Sequence, residues 1–130
     1  MLEEKLNSWE DFEYKIENLF NKIKEQSLII DTNNGLVVVT GCSHPGIVNI
    51  VKSAKEKIGK EVVMVLGGFH LIDHSKQMIS EIITELKKLG VKKCGATHCT
   101  GEEAIELFKT SFGENFIQMG TGRVINVSSL

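Results

Sequence analysis

A chain of 130 residues with a formal net charge of -2, in which 15 Lys and Arg face 17 Asp and Glu, lacks the clustered positive charge that binding a nucleic acid or an anionic membrane surface requires. Its 42% hydrophobic and 25% charged residues exclude wholesale disorder and suit one domain over residues 1–130, with one core and no room for a second. The longest apolar runs, Leu36 to Val39 and Val62 to Leu66, are strand-sized and far short of the ~20 residues that cross a bilayer.

The charged start Met1-Leu2-Glu3-Glu4-Lys5 lacks the apolar stretch of an export signal, so a cytoplasmic location is expected. Ser8-Trp9-Glu10-Asp11 has capping-box character, and Trp9, Phe12, Ile16, Leu19, Phe20 and Ile23 recur at helical spacing, which predicts an amphipathic helix over about residues 1–25. Two β-rich runs, Leu28 to Thr32 and Leu36 to Thr40, follow around Asn33-Asn34-Gly35 and predict a hairpin.

From Thr40 the pattern becomes strand, short loop, helix. A loop from Gly41 to Pro45 leads into a helix from Gly46 to Ile58 that Gly59 ends. Val62 to Leu66 reads as a buried strand, residues 67–74 as a loop, and Ser75 to Leu89 as a helix with Ile79, Ile82, Ile83, Leu86 and Leu89 on one face and Gly90 closing it. Val91 to Thr97 reads as a third strand. Thr100-Gly101-Glu102-Glu103 then has capping-box spacing before a helix with Ala104, Ile105, Leu107 and Phe108. Phe116 to Met119 and Val124 to Val127 look like closing strands about Gly120-Thr121-Gly122. Helices alternating with strands imply an α/β layered fold with a mixed sheet.

Three of the four histidines, His44, His70 and His98, fall just past the end of a predicted strand and before a helix. The loops beyond the carboxyl ends of strands in an open α/β sheet are where ligands bind, because the rigid sheet brings residues distant in sequence to one rim. Three imidazoles meeting there would suit a divalent metal, zinc first and iron or manganese as alternatives. Any one loop histidine alone is more often an ordinary hydrogen-bonded residue, and His74, between Asp73 and Ser75, reads as solvated or helix-capping. Glycines at Gly67 and Gly68 clear space beside a substrate or metal. Ser43, Gly68 and Thr100 are the candidate substrate- or anion-binding positions.

Three cysteines without an export signal read as free thiols. Cys42 and Cys99 flank two of the histidines, and thiolate is a good zinc ligand, which leaves a mixed Cys/His site open; yet Cys-x-His and His-Cys are not structural-zinc spacings, and adjacent residues rarely ligate together, so small buried thiols are the simpler reading. Cys94 alternates with apolar positions and reads as core.

Taken together, Thr40-Gly41-Cys42-Ser43-His44-Pro45-Gly46-Ile47-Val48-Asn49-Ile50, Gly67-Gly68-Phe69-His70-Leu71 and His98-Cys99-Thr100-Gly101, in this order, resemble the C-terminal half of metallo-β-lactamase superfamily proteins. Within that superfamily the resemblance is to the branch of metal-dependent hydrolases similar to 7,8-dihydropterin-6-methyl-4-(β-D-ribofuranosyl)aminobenzene-5′-phosphate synthase. It covers residues 26–127, with 1–25 outside it. It implies half of an αββα sandwich with a mixed sheet and helices on one face, and it makes His44 and His98 metal ligands. His70 stands where many relatives carry a bridging aspartate, so it is a ligand or substrate contact only by that inference.

The superfamily's His-x-His-x-Asp-His string, which supplies most ligands of one metal, does not occur in these 130 residues. The resemblance therefore implies a metal-dependent hydrolase of the ester or phosphoester class that needs a homodimer mate or a complementary N-terminal-half chain to complete its site. The alternatives are a non-catalytic scaffold or regulatory remnant that holds no metal, and a thiol-dependent enzyme using Cys42 or Cys99. Neither a nucleic acid nor a membrane is an expected partner; a small-molecule substrate is, if the site is active.

Overall fold

The computed structural model describes residues 24–130. The amphipathic helix expected before them lies outside the described residues. Four strands, β1 (Leu28–Thr32), β2 (Gly35–Val39), β3 (Val62–Gly68) and β4 (Lys93–Thr97), form one sheet in the order β1-β2-β3-β4. Three helices alternate with the later strands: α1 (Ile47–Ile58), α2 (Lys76–Lys88) and α3 (Glu102–Phe112).

β1 pairs antiparallel to β2 as the hairpin pattern predicts, and β2, β3 and β4 run parallel, so the sheet is mixed. The hairpin takes its positive φ at Gly35 (128°) and at neither asparagine. A Cβ at Gly35 would stand 2.8 Å from the Glu61 carbonyl, which explains glycine there.

The period-two pattern of β2 splits its side chains between two faces. Leu36 and Val38, with Val65, Cys94 and Ala96, join the buried faces of all three helices in one cluster. Each helix presents a stripe at three- and four-residue spacing: Ile47, Val48, Ile50, Val51 and Ala54 in α1, Met78, Ile79, Ile82, Ile83 and Leu86 in α2, and Ala104, Phe108 and Phe112 in α3. Ser75 caps α2 by accepting from the Met78 amide at 3.2 Å, and Gly59 ends α1 in the left-handed region. No helix among the described residues is long and apolar enough to cross a membrane.

The opposite face carries Val37, Met64 and Leu66, and the C-terminal segment lies over it through Ile117, Met119, Ile125, Val127 and Leu130. The two closing strands expected at Phe116 to Met119 and Val124 to Val127 do not form. Phe116 makes one isolated parallel bridge to Cys94, the Ile117 amide donates to the Cys94 carbonyl at 2.7 Å, and Val127–Ser129 is a single 3-10 turn. The apolar spacing that mimics strands serves instead to seat this segment on the sheet.

Candidate metal centre

Because β2, β3 and β4 are parallel, their carboxyl ends lie on one edge of the sheet, and the loops that follow share that rim. Hydrogen bonds stitch the three loops together at Gly68 and Phe69. The Gly68 carbonyl accepts from Ser43 Oγ at 2.6 Å and from Thr40 Oγ1 at 3.1 Å, and the Gly68 amide donates to the Gly41 carbonyl at 2.9 Å. On the other side the Phe69 amide donates to Thr100 Oγ1 at 3.0 Å, while that hydroxyl donates to the Thr97 carbonyl at 2.7 Å. Thr40, Ser43 and Thr100 are the buried polar residues of the described chain, and all three are spent on these links.

The glycine pair makes the stitching possible. A Cβ at Gly67 would stand 2.3 Å from the Thr40 carbonyl oxygen; one at Gly68 would meet the Gly41 carbonyl oxygen at 2.5 Å and Cys99 Sγ at 2.8 Å. The space these glycines clear is filled by the neighbouring loops. Thr100 likewise does not close a capping box: α3 starts after Gly101 with no side-chain cap, because the Thr100 hydroxyl is already bonded to Phe69 and Thr97.

Among the described residues, three that are not glycine adopt the left-handed backbone region, Ser43 (φ 60°), His70 (φ 50°) and His98 (φ 56°), and all three lie on this rim. Each such residue costs on the order of 1 kcal/mol and persists only where its surroundings enforce it, a pattern that gathers at functional sites. Phe69 shows how. It is buried against Phe108 with ring centroids 5.3 Å apart, and this anchor leaves the next residue, His70, exposed at the rim.

His44 and His70 meet, with ring centroids 4.5 Å apart and planes inclined at 57°. His98 keeps different company: its ring nitrogen and the sulfurs of Cys42 and Cys99 lie within 4.8 Å of one another, the one such group of three or more His, Cys, Asp or Glu ligand atoms among the described residues. The rim thus holds the three histidines as a pair and a single ring beside two thiols. Both thiols are half-buried, and Cys99 Sγ donates to the Cys42 carbonyl at 3.4 Å. Cys94 is fully buried in the core, where burial pushes its thiol up to about 12.

One residue of the site escapes a motif search. Glu25, from the segment before β1, accepts hydrogen bonds from His44 Nδ1 at 2.5 Å and from the His44 amide at 3.2 Å. A carboxylate on Nδ1 leaves Nε2 as the free ligand atom, the arrangement that orients metal-binding imidazoles. His74, behind His70, is half-buried; burial first, and then the neighbouring His70, push its pKa below the usual imidazole range, against the pull of Asp73.

This donor set suits a divalent cation. Imidazole nitrogen and thiolate sulfur are zinc's preferred ligands, and one ring already carries its orienting carboxylate. His44, His98, His70, Cys42 and Cys99 are the groups that would hold it.

No family model matches the chain. It is 46% identical over 117 residues, 86% of its length, to the 7,8-dihydropterin-6-methyl-4-(β-D-ribofuranosyl)-aminobenzene-5′-phosphate synthase of Methanocaldococcus jannaschii, of which it spans 40%. An uncharacterized protein of the same organism is 33% identical over 124 residues, 90% of this chain and 46% of that one. The chain therefore spans less than half the length of the curated relatives it matches. Among solved structures, the crystal structure of a metal-dependent hydrolase of the β-lactamase superfamily superposes with a TM-score of 0.74 at 41% identity, over 79% of this chain and 40% of that one. In sequence and in fold, the chain is similar to one portion of a metal-dependent hydrolase of the β-lactamase superfamily.

Proposed function

We propose that the rim is part of the active site of a metal-dependent hydrolase acting on an ester or phosphoester, with His44 and His98 as metal ligands and His70 as a third ligand or substrate contact. The observation that carries this reading is the concentration of left-handed backbone at Ser43, His70 and His98 in the loops that bear the candidate ligands. The similarity to a metal-dependent hydrolase of known structure supports it. A divalent cation, zinc by donor preference, would supply Lewis acidity and lower the pKa of a water at the rim.

The chain's own residues would do the rest. Glu25 fixes the His44 ring, the Ser43, Thr40 and Thr100 hydroxyls hold the loops in register, and the exposed face of His70 is available to substrate. Since no His-x-His-x-Asp-His string stands in these residues, the remaining ligands come from elsewhere: a second copy or a complementary half, covalently joined or separate. The reaction would run in the cytoplasm, where free thiols persist.

Two other readings are weaker. A non-catalytic scaffold is favoured by the same missing string and by Gly67-Gly68-Phe69-His70 standing where the superfamily resemblance leads one to expect an aspartate. A thiol-dependent enzyme is disfavoured at Cys99, because burial chiefly pushes that thiol above its ordinary value, away from nucleophilic thiolate. The deciding experiment measures bound metal, and hydrolysis of an activated phosphodiester, for the chain purified without chelator. It is run alone and with a complementary N-terminal half, beside His44→Ala and His98→Ala. Metal and turnover lost in both variants support the hydrolase; metal-free wild-type protein that stays inert with its complement supports the scaffold.

A further inference from the structure

We propose that Cys42 and Cys99 join His98 as ligands, forming a two-sulfur, one-nitrogen site for a borderline-soft divalent cation such as Zn2+. The proposal rests on the reading of this rim as a metal centre and specifies donors that the histidine motifs do not reveal.

Tetrahedral zinc with Zn–S near 2.3 Å and Zn–N near 2.0–2.1 Å needs its donor atoms roughly 3.5–3.8 Å apart. The nitrogen of His98 and both sulfurs already lie within 4.8 Å of one another, so rotamer adjustments of about 1 Å would close the set. Adjacent side chains diverge in a strand. Here His98 and Cys99 converge on one point, and the turn that aims them starts at the left-handed backbone of His98 (φ 56°), in the 3-10 turn His98–Thr100. Gly68 provides the floor: a Cβ there would lie 2.8 Å from Cys99 Sγ and 3.3 Å from His98 Cδ2, so only glycine lets the two groups sit side by side.

The backbone that carries the third donor is also held. Cys42 lies between Gly41, whose carbonyl accepts from Gly68, and Ser43, whose hydroxyl donates to the same residue. Cys42 therefore faces His98 and Cys99 across a short, hydrogen-bonded gap. Three protein ligands leave a fourth position open to water, the composition of catalytic rather than closed structural zinc sites. A bound cation deprotonates coordinating thiols outright, so the metal itself would supply the thiolates.

The test is Co2+ titration of the chelator-treated, fully reduced chain, followed by thiolate-to-cobalt charge-transfer absorption in the near ultraviolet. The proposal expects that absorption in the wild type, its loss in Cys42→Ser/Cys99→Ser, and affinity at least ~10–100-fold weaker in each single serine variant, the loss that even outer partners of a metal site produce. Cobalt that binds with no charge-transfer band, survives both serine changes and is lost in His44→Ala would overturn the sulfur site while leaving the histidine reading intact. No cobalt binding at all would overturn both. A Cys42–Cys99 disulfide, seen as two missing thiols in the unreduced protein, with no cobalt band after reduction, also defeats the proposal. Serine is close in size to cysteine, and a retained unfolding midpoint shows that the variants fold.

Discussion

Glu25 Oε1 accepts from Nδ1 of His44 at 2.5 Å and from the same residue's backbone amide at 3.2 Å, so one carboxylate oxygen fixes both the ring and the main chain of a candidate ligand. Removing it frees the imidazole to exchange tautomers and to rotate. Glu25→Ala is expected to weaken divalent-cation binding by ~10–100-fold, the usual loss for such an orienting partner. Imidazole nitrogen chemical shifts give an independent readout: His44 holds its proton on Nδ1 in the wild type and becomes a mixture in the variant. An unchanged tautomer in Glu25→Ala would show that the carboxylate does not orient the ring.

The glycines of the rim make a graded prediction. Gly67→Ala and Gly68→Ala each drive a Cβ to within 2.3 or 2.5 Å of a backbone carbonyl oxygen in the neighbouring loop, and Gly67 adds a φ of 125°. Backbone cannot step aside as a side-chain tip can, so each is expected to cost at least ~1–3 kcal/mol in denaturant unfolding. Gly41→Ala meets nothing within 4 Å and should fall within about 0.5 kcal/mol of the wild type. Equal costs at all three positions would show that the loops are not locked as described.

The parts of this site legible in the sequence are those that depend on local pattern. His44, His70 and His98 stand where strand periodicity stops and helix periodicity has not begun, and in a parallel sheet that alone assigns them to one rim. Glu25 precedes His44 by 19 residues, in no motif, and its contact exists only once the chain entering β1 has been placed. The thiols look like packing residues because strand geometry sends neighbours to opposite sides, and only the left-handed turn at His98 reverses that. Thr100 matches a capping box letter for letter, but a buried amide at Phe69 competes for its hydroxyl and wins. Ile117, Met119, Ile125 and Val127 have strand-like spacing because they, too, cover a sheet; pairing at the edge stops at the single bridge to Phe116.

That competition for Thr100 can be measured. Its side chain is fully buried, accepting from the Phe69 amide and donating to the Thr97 carbonyl. Thr100→Val keeps the shape but strands both groups, which should cost ~1–3 kcal/mol, whereas Thr100→Ser keeps the hydroxyl and loses only a methyl. Amide hydrogen exchange at Phe69 should quicken in the valine variant and stay slow in the serine variant. Ser43→Ala should be milder, about 1 kcal/mol, because Thr40 Oγ1 still donates to the Gly68 carbonyl.

Cys94 links the core to alkaline stability. Burial in the helix-side cluster raises its thiol from 9.0 to about 12, so the folded state holds that proton more tightly than the unfolded chain does. A raised folded-state value means stability that is complete below pH 9, where the unfolded thiol is still protonated, and lost as pH climbs toward 12. Over that window the loss approaches ~1.4 kcal/mol per pH unit for this one group. Other groups titrate there too, so the measurement is a difference: unfolding free energies of the wild type and Cys94→Ala, each across the alkaline range. Alanine leaves a small cavity and a pH-independent deficit, and the gap between the two proteins should narrow steadily above pH 9. A constant gap would mean that the buried thiol does not resist ionisation. In native protein Cys94 should also be the last thiol to alkylate, with Cys42 and Cys99, both half-buried at the rim, reacting first.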